Sequence, residues 1–254
     1  MSPALAAAPT VRLGYFPDDP VGSRLSDENA FHYCPRVSLP SDPSQIYLGG
    51  EPVEDERRAA KHRLIREVKR VVDNAALLDV GGNDTQGLSV FADEAGDLAD
   101  RLEQAPSLRA FGGAAVAGPA DAVLAERSPV SGRSNPLAPP LHLEMTEGVT
   151  RAWAIWTDAY EGPPGCLHGG FVAAAFDDVM GLAQMASGRA GFTGTLTVRM
   201  LKPTPLHQRI DYEAWLDHAE GRKIWCKATA RHGDVLLGEA EILFISPREA
   251  FWKA

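Results

Sequence analysis

His168-Gly169-Gly170, followed by Asp177, is the stretch whose residue types and spacing best suit chemistry in this chain of 254 residues. The glycines lead into FVAAAFDDVMGLAQMA, a run that reads as a helix. The N-terminus of a helix leaves backbone N–H groups unpaired and carries a partial positive charge. Glycine lets a ligand atom approach such amides closely. Gly169 and Gly170 therefore supply donors suited to polarising a carbonyl or holding an oxyanion. Asp177 supplies a carboxylate that can serve as general base or nucleophile. An unpaired carboxylate is costly inside a protein, so Asp177 or its neighbour Asp178 has to reach a cleft or an interface. Adjacent helix residues point about 100° apart, so the two acids do not converge on one carbon.

The spacing sets a further constraint. Eight residues of helix separate Gly169 from Asp177 by ~12 Å along the axis. One carbonyl carbon cannot touch both ends of that span. If both act on the same carbon, they come from two subunits. That implies a two-fold dimer with antiparallel helices and two equivalent sites.

The helix itself, expected over 168–187, is apolar nearly all round and belongs inside a fold. HLEMTEGVTRAWAIWTDA before it reads as two strands around the turn Glu147-Gly148. Strand-like segments follow at 191–202, 209–218, 222–231 and 235–246, with short turns between the last three. Strands, one long helix and an antiparallel meander describe an α+β layer fold, a sheet wrapped on one helix. The first half is different. Residues 1–52 are turn-rich, with room for one short strand. Helices are expected at 53–75, with Leu64, Ile65, Val68, Val71 and Val72 on its packed face, and at 89–104. The Pro/Ser/Gly-rich stretch 127–140 marks a boundary, giving an N-terminal extension over 1–134 and a domain over 135–254. The helix at 53–75 is too charged to be a second buried core helix.

The combination YEGPPGCLHGGFVAAAFDDVMG, then TGTLTVRMLKPTPL, then AEGRK resembles the PaaI-like hotdog acyl-CoA thioesterases over roughly residues 135–247. The resemblance implies a hotdog fold and hydrolysis of an acyl-CoA, or of an acyl-carrier-protein thioester, to free acid and thiol. It implies that the Gly169 amide polarises the thioester carbonyl and that Asp177 of the partner chain acts as nucleophile or base. His168 would shape the turn, with Gly170 beside the substrate. A threonine on the next strand would orient water or carboxylate. Thr193 and Thr195 both suit that role, because alternate residues share a strand face; Thr197 is a third choice. Arg199 and Lys202, and Arg222 and Lys223 at the last hairpin, are candidates for coenzyme A phosphates. Relatives often carry Asp-Glu where this chain has Asp177-Asp178. Some have Asn or Gln before the His-Gly-Gly turn, where this chain has Gly162 and Pro163. A hotdog dehydratase or hydratase, or a non-catalytic acyl-CoA-binding protein, would use the same fold. A histidine opening a Gly-Gly turn with an aspartate nine residues later fits thioester hydrolysis better.

Bulk properties agree with a globular protein: 44% apolar and 23% charged residues. The net charge of −9 argues against a nucleic-acid partner. Cys34, Cys166 and Cys226 form no CxxC pair, and the histidines show no ligand spacing, so neither disulfides nor a metal is expected. No separate cofactor is expected, because coenzyme A enters as part of the substrate. No apolar run approaches a membrane span, and the first residues lack the basic start of a secretory signal. The expected setting is cytoplasmic, as a homodimer or a tetramer built from two. The extension is expected to pack over the sheet or the acyl pocket.

Overall fold

The computed structural model describes residues 10–14, 56–106, 126 and 128–246. Within them lies one antiparallel sheet. Its strands are β1 (Thr10–Gly14), β2 (His142–Thr146), β3 (Val149–Ile155), β4 (Phe192–Met200), β5 (Arg209–Glu220), β6 (Lys223–His232) and β7 (Val235–Ile245). Their order is β1-β4-β7-β6-β5-β3-β2. The expected short N-terminal strand is β1, on the far side of β4. Residues 15–52, with His32 and Cys34, and the Gly/Ala-rich 111–121 lie outside the described residues.

Helix α3 (Gly169–Ala183) crosses the sheet and touches β2 through β7. This is the hotdog arrangement. Its all-round apolar sequence dictates that position: Val172, Ala173, Ala175, Phe176, Val179, Met180, Leu182 and Ala183 are all buried. Alternation does the same for the strands. Ile210, Tyr212 and Ala214 of β5 and Ile224, Cys226, Ala228 and Ala230 of β6 face the helix. Gly238 of β7 packs closely on β4, where a Cβ would lie 3.1 Å from the Arg199 carbonyl oxygen. Glu147 and Gly148 both have positive φ, 54° and 78°, the two-residue hairpin that suits strand twist.

The helix ends earlier than its sequence suggests. The α-helical part stops at Ala183, and Gln184–Ser187 form a tighter 3₁₀ turn. The buried Gln184 accepts a hydrogen bond from the Gly191 N–H and donates one to the Gly181 carbonyl. Gly188 then reverses the chain at φ 72°.

Two helices lie between β1 and β2, α1 (Glu56–Ala76) and α2 (Thr85–Gln104), and neither has a fully buried residue. α2 starts four residues before the expected Ser89, because Asp84 caps it by accepting from the Gly87 N–H. On α1, Leu64, Ile65 and Val68 are half-buried. Val71 and Val72 are 58% and 47% exposed, so the packed face is shorter than its periodicity implies. Asp73 accepts from the Thr157 hydroxyl at 2.8 Å, which fixes the end of α1 to the domain. No helix among the described residues is long and apolar enough to cross a membrane.

Phe176 is fully buried, edge-on to Tyr212 with ring centroids 5.9 Å apart. Phe176→Ala is expected to cost about 3–5 kcal/mol in urea unfolding, because the surrounding sheet cannot collapse into the void.

Candidate active site

The start of α3 is held from three directions. His168 is the N-cap, and its backbone N–H donates to the Tyr160 carbonyl at 2.9 Å. The Leu167 N–H donates to the Thr204 carbonyl at 2.8 Å, and the Leu206 N–H to the Gly165 carbonyl at 3.1 Å. The Gly-Pro-Pro-Gly turn and the Lys-Pro-Thr-Pro-Leu segment, far apart in sequence, thus meet beneath the histidine. Gly162 packs so tightly there that a Cβ would lie 2.7 Å from the His168 Cα. The absence of a side chain explains Gly162 at that turn.

The His168 Nδ1 accepts from the Gly170 N–H at 3.0 Å, so the ring proton sits on Nε2. The Phe171 and Val172 N–H groups both bond to the His168 carbonyl. That leaves the Gly169 N–H with no acceptor among the described residues, at a half-buried position beside Met200. An amide left free at a helix N-terminus has the geometry to donate to a developing negative charge. Gly170, by contrast, has its amide engaged by the histidine.

Asp177 lies two turns on. It accepts from the Thr193 hydroxyl at 2.8 Å. Burial raises its pKa above the usual carboxylate range, and the Thr193 hydrogen bond opposes that rise. The strand alternation that would put Thr193 and Thr195 on one face is broken. β4 bulges between them: Thr193 pairs with Phe244 and Thr195 with Leu243, so Gly194 is the extra residue. Thr193 therefore turns toward α3, the side of Leu196 and Val198. Thr195 and Thr197 alternate to the other face. The register shift removes Thr195 from Asp177, and the alternation expected from sequence does not hold across Gly194.

Asp178 points elsewhere. It accepts from the Ser128 hydroxyl at 3.3 and 3.4 Å and from the Ser131 side chain. Burial first, and the Asp177 charge as well, push it up to about 6, while the two serines pull it down. The segment carrying these serines is anchored by Glu126, which is 5% exposed. Glu126 receives His62 at 2.9 Å, Arg58 at 3.6 Å and the Ser134 hydroxyl. Neither Ser128, Ser131 nor Glu126 stood out in the sequence: the serines sit in a Pro/Ser/Gly-rich stretch with no periodicity, and Glu126 just before it.

The four candidate cations divide between the ends of β4. Lys202 is exposed just after β4, two residues beyond the Met200 that packs on Gly169. Arg199 pairs with Glu239 at 3.5 Å and shares the outer face with Thr197. Arg222 and Lys223 lie at the opposite end, since Lys223 pairs with Ile245 and Ile245 with Phe192, next to Thr193. A depression of about 340 Å³ there is lined by Glu220, Gly221, Arg222, Lys223 and Ile245. Arg189 donates to the Gly221 carbonyl at that corner, a third cation the motifs did not mark. A separate groove of about 490 Å³, lined by His142, Trp153, Arg209 and Arg231 among others, contains neither Gly169 nor Asp177. Among the described residues no group of three or more His, Cys, Asp or Glu is arranged to hold a metal ion. Cys226 is buried and its thiol pushed up to about 12, which makes it a packing residue.

Comparison with known proteins gives two kinds of relative. The crystal structure of a thioesterase superfamily protein superposes with a TM-score of 0.63 and 34% identity, covering 73% of this chain and 94% of that one. Acyl-coenzyme A thioesterase THEM4 of Bos taurus is 36% identical over 87 residues, 34% of this chain and 35% of that protein. THEM4 of Xenopus laevis is 33% identical over 87 residues, 34% of this chain and 39% of that one. The chain thus matches little more than a third of the length of these curated relatives. No family model matches it.

The Thr193–Asp177 contact is directly testable. In Thr193→Val, burial acts on Asp177 unopposed, so its carboxyl titration, followed by NMR, should move up by about one pH unit. Thr195→Val should leave it in place.

Proposed function

Since the chain belongs to the thioesterase superfamily, we propose that it hydrolyses an acyl-coenzyme A thioester to the free acid and the thiol, at sites shared between two subunits. The observation that carries this reading is the placement of two incomplete half-sites along one flank. The free Gly169 amide lies beside Met200 at one end of β4, and the Asp177–Thr193 pair lies at the other. They are ~12 Å apart on a single continuous helix. A two-fold axis through the middle of that flank brings Gly169 of one subunit to Asp177 of the other.

In this arrangement the Gly169 N–H holds the thioester oxygen as negative charge develops on it. Asp177 of the other subunit acts on the acyl carbon, either by taking a proton from the attacking water or by direct attack. The carbon–sulfur bond breaks, the thiol leaves with a proton, and water supplies the hydroxyl of the acid. Thr193 orients the Asp177 carboxylate through its hydrogen bond. His168 keeps the Gly170 amide occupied and so leaves the donor role to Gly169. The same symmetry brings the Lys202 end of one subunit toward the Arg222–Lys223 corner of the other. On a chain of net charge −9, such a local gathering of cations is what phosphates need. The curated relatives named as acyl-coenzyme A thioesterases support the choice of substrate class. The N-terminal segment, 1–134, is read as an extension to the catalytic domain over 135–254.

Asp177→Asn should lower thiol release from acyl-coenzyme A by about 10²-fold or more without changing the oligomeric state. Gly169→Pro should do likewise, because proline is tolerated in the first helical turn but lacks the N–H. Mixing the two dead variants tests the sharing of sites. Each mixed dimer rebuilds one intact site, so activity should recover to about a quarter of wild type. A mixture that stays inactive although the subunits exchange would overturn the shared site, and a fully active Asp177→Asn would overturn the role of the carboxylate.

A further inference from the structure

Two carboxylates stand side by side on α3, and the reading above uses one of them. Asp178 is not spare. Burying a second acid next to the first is unfavourable unless something holds it, and what holds it comes from outside the sheet-and-helix core. The Ser128 hydroxyl donates to both Asp178 oxygens while accepting from the Val130 and Ser131 N–H groups at 3.1 and 3.2 Å. The turn is closed by the Gly132 N–H on the Ser128 carbonyl at 3.0 Å and by the Ser134 N–H on the Glu126 carbonyl at 2.7 Å. Glu126 in turn ties it to His62 and Arg58 of α1. A rigid polar turn is thus aimed at the residue adjacent to Asp177.

We propose that Ser128 and Ser131 are positioning residues: they hold Asp178 as a second carboxylate beside Asp177, and its charge sets how tightly Asp177 binds a proton. This rests on the reading that Asp177 acts on the acyl carbon. Among the described residues, the groups that face Asp178 are the two serine hydroxyls from the turn and Asp177 from its own helix. Repulsion between the acids is mutual. Above about pH 6, where Asp178 is ionised, Asp177 sits beside a negative charge and is the stronger base. As Asp178 takes up a proton, that repulsion is relieved and Asp177 becomes the weaker base. The serines lower the pH at which that change occurs.

The test is the pH dependence of kcat and KM for an acyl-coenzyme A, over about pH 5 to 8. Wild type should show an inflection in kcat near 6. The Ser128→Ala/Ser131→Ala double variant should move it up by about one pH unit, with KM unchanged. Ser131→Thr, in an otherwise wild-type protein, should keep it in place, since the hydroxyl remains. Asp178→Asn should abolish the inflection and leave kcat several-fold lower above pH 7. Where the double variant fails to fold, Ser131→Ala alone, with the Ser128 turn intact, should give a smaller shift in the same direction. An inflection unmoved by the serine changes overturns the proposal, as does an Asp178→Asn protein with the wild-type profile. Full activity in Asp177→Asn removes the reading beneath it; normal loss there with an unmoved inflection removes this inference alone.

Discussion

A helix that is apolar on nearly every side has to be wrapped, and the wrapping of α3 governs the rest of the molecule. Six strands close over it, so polar atoms on the helix can reach other groups only at its ends or along the seams between it and the elements that cover it. The N-terminus opens where two proline-rich turns meet. Asp177 reaches the seam with β4, and Asp178 reaches the seam with the serine turn. Each polar side chain in the middle of α3 therefore faces a hydroxyl donor: Thr193 for one acid, Ser128 and Ser131 for the other. Without those donors the two aspartates would be uncompensated charges in the core. The polar architecture around the site follows from the decision to bury this helix.

Much of this was legible in the sequence because it depends on periodicity. The all-round apolar helix, the alternating strands and the Glu147-Gly148 turn are local patterns with one physical reading each. The distance from Gly169 to Asp177 follows from helix geometry alone. What escaped the sequence depends on register or on distant contacts. Thr193 and Thr195 look equivalent until the bulge at Gly194 sends them to opposite faces. A bulge leaves no mark stronger than a glycine within a strand. Ser128 and Ser131 looked like linker composition, and Glu126 stood just before it. Their role depends on α1 and α3 approaching from different parts of the chain, and nothing in a Pro/Ser/Gly-rich stretch announces that. The true start of α2 was marked by Asp84, a capping signal hidden within loop-like residues.

The electrostatic design is uneven in a way the overall charge conceals. The surface is acidic on balance, yet Arg189, Arg222 and Lys223 share one corner of the sheet. Among the described residues Asp177 and Asp178 have no cationic partner, whereas Glu126 is paired with Arg58 and His62. The difference is chemical. Glu126, paired with His62 and Arg58, is held below the usual carboxylate range despite its burial. The two aspartates, given only hydroxyls, are held above it. The carboxylate with a lowered pKa is given an arginine and a histidine, and the two with raised pKa values are given hydroxyls.

The strand β1 bears on assembly through simple exclusion. β4 has two edges. One pairs with β7, and β1 takes the other over residues 195–199, with Thr10 opposite Arg199 and Gly14 opposite Thr195. A row of backbone N–H and C=O groups can be satisfied only once. A strand from a second molecule that sought the same row would have to evict the chain's own N-terminal segment. The tethered strand competes at a fixed effective concentration, whereas a foreign strand competes in proportion to how much protein is present. A second molecule could pair along this edge only by displacing β1, whose hold on the row does not depend on how much protein is present.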